Sequence, residues 1–66
     1  MMSEMWKPKS PSILKDWIET IEEEASDKLT SWETNFIDSL KMQINKGLTE
    51  RQEIILERIY AEKTKL

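Results

Sequence analysis

Residues 30–60, TSWETNFIDSLKMQINKGLTERQEIILERIY, contain two helical patterns on either side of Gly47, the only glycine in the chain. In both patterns the apolar side chains recur every three to four residues, which is typical of amphipathic helices. Glycine adopts the left-handed backbone that ends many helices. We therefore expect two helices that fold back on each other as an antiparallel hairpin.

Both helices of this hairpin begin with the pattern of a capping box, in which a threonine and the residue three positions later accept each other's backbone amides. Thr30 with Glu33 begins the first helix, and Thr49 with Gln52 begins the second. Because the turn between them is short, residues at equal distances from Leu48 should lie side by side. This register predicts the apolar pairs Leu40–Leu56, Ile37–Ile59 and Phe36–Tyr60 and the charged pairs Glu33–Lys63, Asp38–Arg58 and Lys46–Glu50.

A third amphipathic pattern precedes the hairpin. Ser10 is suited to cap a helix whose first residue is Pro11, because a proline at that position loses no hydrogen bond. The apolar residues of this pattern are Ile13, Leu14, Trp17, Ile18, Ile21 and Ala25. We expect the helix to cover the apolar seam of the hairpin, although a dimer formed through this helix would satisfy the same pattern.

The sequence thus predicts an all-α fold with a single helical domain over residues 10–66 and an irregular arm over residues 1–9. The three helices are predicted at about 11–27, 31–46 and 50–64. A domain of this size buries only about 60% of its unfolded surface, so self-association or docking on another protein would add needed stability.

Composition excludes several classes of function. The 66 residues include neither cysteine nor histidine, which removes thiolate and imidazole chemistry, disulfides and nearly every zinc site. There is no glycine-rich phosphate loop, and no apolar run approaches the roughly 20 residues of a membrane span. The N-terminus lacks a signal-peptide core. We therefore expect a non-enzymatic protein without cofactor or metal, located in the cytoplasm, or in the host cytoplasm if the chain is viral.

The first candidate site lies beside the turn of the hairpin. Met42 and Ile54 fall off the main apolar stripes of their helices, and Leu48 follows the glycine directly. We interpret these three side chains as a contact patch for a partner protein, or for a second copy of the chain. The alternative is that the first helix covers them.

Two further candidate sites lie near the N-terminus. The arm carries Trp6 among methionines, residues that are common at protein interfaces, so Trp6 either contacts a partner or folds back over the first helix. Residues 13–29 hold six acidic and two basic residues, a local charge of −4. Within them Glu19, Glu23 and Asp27 follow one another at helical spacing and would suit a basic partner. Their alternatives are a solvated helix face and a carboxylate metal site, for which the oxygen-rich loop of calcium sites is missing.

A helix-turn-helix that binds nucleic acid is the alternative function. Against it, residues 48–66 contain four acidic and four basic residues, whereas a DNA-reading helix normally has a basic footprint. The net charge of −3 for the whole chain argues in the same direction.

Three short motifs also suggest a family resemblance. W-E-x-x-F-x-x-S-L begins at Trp32, L-T-x-x-Q at Leu48, and L-x-x-I-Y at Leu56. Together they resemble a short helical hairpin found in small bacteriophage proteins and at the ends of phage proteins of DNA metabolism. The resemblance covers residues 32–60 and implies a phage or bacterial accessory protein that acts on replication, recombination or transcription machinery. It implies no catalytic residue.

Overall fold

A computed structural model describes residues 7–64, which contain three α-helices and no strand. The helices are α1 at Pro11–Ala25, α2 at Ser31–Gln43 and α3 at Glu50–Lys63. The predicted all-α class is therefore confirmed for this part of the chain.

The three helix starts follow the predicted capping chemistry. Ser10 accepts the amide of Ile13, although at 3.5 Å this hydrogen bond is long. At the start of α2 the Glu33 amide donates to Thr30 Oγ1 at 3.1 Å, and the Thr30 amide donates back to Glu33 Oε1 at 2.9 Å. Thr49 and Gln52 repeat both bonds at the start of α3 with the same two distances. Both capping boxes are thus confirmed.

The helix ends come earlier than predicted for α1 and α2, because each helix tightens into one turn of 3₁₀-helix. These turns span Ser26–Lys28 and Ile44–Lys46. Gly47 then ends the second turn with φ +93° and ψ 153°, and its amide donates to the Ile44 carbonyl at 3.2 Å. The glycine therefore sits at the predicted hinge, since this backbone conformation is open almost only to glycine.

One hydrophobic core joins all three helices. Its buried members are Leu14, Ile18, Ile21, Ile37, Leu40, Ile44, Leu48, Leu56 and Ile59. The first three belong to α1, so this helix covers the hairpin of its own chain, as expected. The alternative of a dimer built on the apolar face of α1 is wrong, because that face is already buried within one molecule.

Polar contacts confirm the predicted hairpin register at the end far from the turn, but not near the turn. Lys63 Nζ lies 3.6 Å from Glu33 Oε1, as predicted, and also donates to the Lys28 carbonyl. Near the turn, the Gln52 side-chain amide donates to Gln43 Oε1 at 2.7 Å, a pairing displaced by one residue from the predicted register.

Three predicted pairs are not formed. Tyr60 stacks on Trp17 of α1, with ring centroids 5.2 Å apart, whereas Phe36 stacks on Trp32 of its own helix. The predicted Phe36–Tyr60 pair is wrong because α1 supplies the ring that meets Tyr60. Within residues 7–64, no ion pair joins Asp38 to Arg58 or Lys46 to Glu50; the nearest cation to Asp38 is Lys41, at 3.7 Å.

Candidate protein-binding surface

α3 has two unlike sides. It approaches α1 along more of its length than it approaches α2, so its α1 side is closed. On the other side, α2 and α3 leave a groove of about 550 Å³ between them. The residues lining this groove are Trp32, Glu33, Arg51, Ile54, Ile55, Arg58, Ile59 and Glu62.

The apolar part of the groove is only partly covered by the chain itself. Ile59 forms its floor at 3% exposure, and Ile55 is half-buried. By contrast, Trp32 is 59% exposed and Ile54 is 49% exposed, although both are large apolar side chains. All four residues belong to α2 or α3, so the helix backbones set the positions from which these side chains line the groove.

The charged residues of the groove follow its length. Arg51 lies in the first turn of α3, close to the hairpin turn, and Glu62 lies in the last turn of the same helix. They are eleven positions apart in the helix, which is about 16 Å along the axis. Neither side chain makes an ion pair within residues 7–64, so opposite charges mark the two ends of the groove.

The structure divides the patch predicted beside the turn. Met42 is 85% exposed and Ile54 is 49% exposed, but Leu48 is only 6% exposed and belongs to the core. The prediction that Leu48 is a surface contact is therefore wrong. Its physical reason is the glycine hinge, which turns the following side chain back onto the apolar side of the helix it ends.

The acidic candidates Glu19, Glu23 and Asp27 are all exposed. Glu19 lines a shallow cleft of about 300 Å³ between α1 and α2, together with Lys15 and Lys41. Among the described residues, no group of three or more carboxylates is placed to hold a metal ion.

Two residues that line that cleft form an ion pair. The Lys41 ammonium group contacts the Glu22 carboxylate and lies farther, at 3.7 Å, from Asp38. The hydrogen bond to Glu22 raises the pKa of Lys41, and the negative charge of Glu22 adds to the effect. This pair joins α1 to α2 at the surface and leaves the α2–α3 groove open.

Trp6 lies outside the described residues, but the chain that follows it is fixed at Lys9. The Lys9 amide donates to Glu53 Oε2 at 3.1 Å, and Lys9 Nζ lies 3.9 Å from Glu53 Oε1. The same ammonium group is 5.6 Å from the centroid of the Trp17 ring, within cation–π range. The described part of the predicted arm therefore packs against α1 and α3.

Glu53 was not among the predicted site residues, although it is the one buried charged residue of the described chain, at 2% exposure. Its place near the start of α3 favours a negative charge there, because the helix dipole is positive at that end. Oε1 has no hydrogen-bond donor within residues 7–64. The signal was in the sequence: Glu53 stands three residues before Leu56 and six before Ile59, on the buried stripe of α3.

The nucleic-acid alternative gains no support from the start of α3. Glu53 is buried there, and the Gln52 side chain is bonded to both Thr49 and Gln43. Of the first four residues of the helix, only Glu50 and Arg51 are exposed. One acidic and one basic side chain do not make the basic footprint of a DNA-reading helix.

Within residues 7–64, none of the helices has both the length and the apolar character required to cross a lipid bilayer.

The chain was also compared with known proteins. No protein-family model, no curated protein and no solved structure matches it.

Proposed function

We propose that this chain is a non-enzymatic protein–protein interaction module that binds its partner in the groove between α2 and α3. The observation that carries the proposal is the exposure of Trp32 and Ile54 at one concave surface. Single exposed apolar residues are common on proteins, but an indole and an isoleucine that flank the same groove are typical of a contact site.

The surroundings of these two residues support the same proposal. Tryptophan and arginine are enriched at protein interfaces and contribute much of the energy at binding hot spots. Arg51 and Arg58 both line the groove beside Ile54. An apolar centre with a charged rim is the usual composition of such a surface.

Several narrower statements belong to the proposal. We propose that the function needs no cofactor or metal and is carried out in the cytoplasm. The resemblance of residues 32–60 to phage hairpins supports an accessory role near replication, recombination or transcription machinery. The other predicted contacts are proposed as secondary contacts: Met42, Trp6, Glu19, Glu23 and Asp27.

The test compares one substitution at two sites of similar exposure. Ile54→Glu places a charge in the groove, whereas Ile13→Glu places the same charge on α1, where Ile13 is 46% exposed and lines no part of the groove. The tagged protein and both variants are used to capture proteins quantitatively from lysate of the source cells, and bound proteins are counted by mass spectrometry. We expect Ile54→Glu to lose the specific captures and Ile13→Glu to keep them.

Two results would contradict the proposal. The first is an equal capture profile for both variants. The second is salt-sensitive binding of duplex or single-stranded DNA by the parent protein, which would favour the helix-turn-helix alternative, since phosphate contacts release counterions.

A further inference from the structure

The six residues of α3 that line the groove have a symmetric arrangement of chemistry. Reversing the helix about a point between Leu56 and Glu57 exchanges Arg51 with Glu62, Ile54 with Ile59, and Ile55 with Arg58. The reversal thus brings a cation to an anion, isoleucine to isoleucine, and the aliphatic stem of an arginine to isoleucine. A second α3, antiparallel to the first, would find complementary groups at each position.

We propose that the occupant of the groove is a second copy of this chain, bound so that the two α3 helices pack antiparallel. The two-fold axis would cross the groove side of α3 midway along the helix, at the level of Leu56 and Glu57. This inference rests on the proposed function and names its partner. A two-fold interface uses the same patch on both molecules, so the patch must be complementary to itself. The exchange of Arg51 with Glu62 fulfils this requirement at both ends of the groove.

The position of Trp32 supports the same arrangement. Glu33, the next residue, pairs with Lys63, so Trp32 lies at the Glu62 end of the groove. The two-fold axis brings that end to the Arg51 end of the second copy. There the exposed indole, 59% accessible in one molecule, would lie beside an arginine, an attractive combination of cation and ring.

Charge balance favours a second copy over a partner of one charge sign. The groove contains Arg51 and Arg58 and also Glu33 and Glu62, so a strongly basic or strongly acidic partner would meet repulsion at part of its length. A small domain without disulfides also gains more from self-association than a large one does.

The test is a charge exchange measured by analytical ultracentrifugation over a wide range of protein concentration. Arg51→Glu and Glu62→Arg each place like charges against each other in the proposed dimer, and each should raise the dimer Kd about tenfold. The double variant restores opposite charges and should return Kd to near the parent value. Lys46→Glu, an exposed charge reversal outside the groove, serves as the control and should leave Kd unchanged.

Each outcome decides the proposal. Weaker dimerisation in both single variants, with recovery in the double variant, supports the proposal, provided that circular dichroism shows equal helix content in all proteins. A parent protein that stays monomeric at every concentration overturns the proposal that a second copy occupies the groove. If Ile54→Glu still abolishes capture from lysate in that case, the groove keeps its proposed function with a different partner. A double variant no stronger than the singles overturns the antiparallel pairing.

Discussion

The two sides of α3 differ in how completely they are packed. Towards α1, Tyr60 stacks on Trp17, and the buried Glu53 accepts the Lys9 amide. Towards α2, its neighbour in sequence, α3 keeps an open groove in which Ile54 is half exposed. A short turn thus makes two helices antiparallel without making them the most closely packed pair. The closed side serves stability, and the open side is the one available for binding.

The largest aromatic residue of the open side packs within its own helix. Trp32, the largest side chain near the groove, stacks on Phe36 one turn later in its own helix, with ring centroids 5.1 Å apart. The indole is nevertheless 59% exposed, so this contact leaves much of its surface accessible at the groove.

The largest expected effect comes from a substitution in the hydrophobic core that all three helices share. Leu40 is fully buried, so Leu40→Ala should lower the free energy of unfolding by about 2–5 kcal/mol. Met42→Ala, two residues later on the same helix, is the control and should change it by less than about 0.5 kcal/mol. Urea denaturation followed by circular dichroism measures both. Equal midpoints for the two variants would contradict a shared core.

The next effect concerns the hinge between α2 and α3. Gly47→Ala should lower the free energy of unfolding by about 1–3 kcal/mol, because the backbone there is nearly restricted to glycine. An added Cβ meets no atom within 4 Å, so the cost comes from backbone conformation alone. Ser26→Ala in the other turn, where φ is −58°, is the control and should have little effect. A Gly47→Ala variant that unfolds at the same temperature as the parent would contradict this backbone conformation.

The closed side is tested at Glu53. Glu53→Ala should lower the free energy of unfolding by about 1–3 kcal/mol, because the Lys9 amide loses its acceptor and the space beneath it is left unfilled. Glu57→Ala, an exposed carboxylate one turn later, is the matched control and should cost less than about 0.5 kcal/mol. Hydrogen exchange of the Lys9 amide adds a local measurement. Exchange that is no faster in Glu53→Ala would show that this bond does not fix the segment.

The smallest expected effect lies at the α1–α2 surface. Lys41→Met removes the contact with Glu22, but both side chains are more than two-fifths exposed, so the loss should stay between about 0.2 and 1 kcal/mol. Pairing raises the pKa of Lys41 above 10.5. The contribution of the ion pair to folding stability is therefore fully present below that pH and is lost as the pH rises through the raised pKa. Parent and variant should therefore converge in stability in strongly alkaline solution, and also at high salt. A constant difference would assign the effect to packing of the lysine stem.

Local chemistry made much of the fold predictable. The caps at Thr30 and Thr49 and the hinge at Gly47 depend on residues within three or four positions, and all were confirmed. Which face of α3 meets α1 depends on long-range packing. The sequence pattern does not show how the residues of α1 align with those of α3. That is why Tyr60 was assigned to the wrong aromatic partner.

The candidate site was less predictable than the fold. Ile54 was recognised because it leaves the main stripe of α3, and it remains exposed. Leu48 was misassigned because a position after a hinge has no helical period to indicate its face. Trp32 was not among the predicted contact residues, because an apolar stripe cannot show which of its side chains the neighbouring helix leaves uncovered.

The hydrogen bond from Lys9 to Glu53 begins at a main-chain amide, so nineteen of the twenty amino acids could supply its donor. Substitution at position 9 should therefore be tolerated as far as this bond is concerned, with proline the exception. Deletion of Lys9 would have a different result. It would bring Pro8 to the donor's place, and because proline has no backbone N–H the hydrogen bond to Glu53 would be lost.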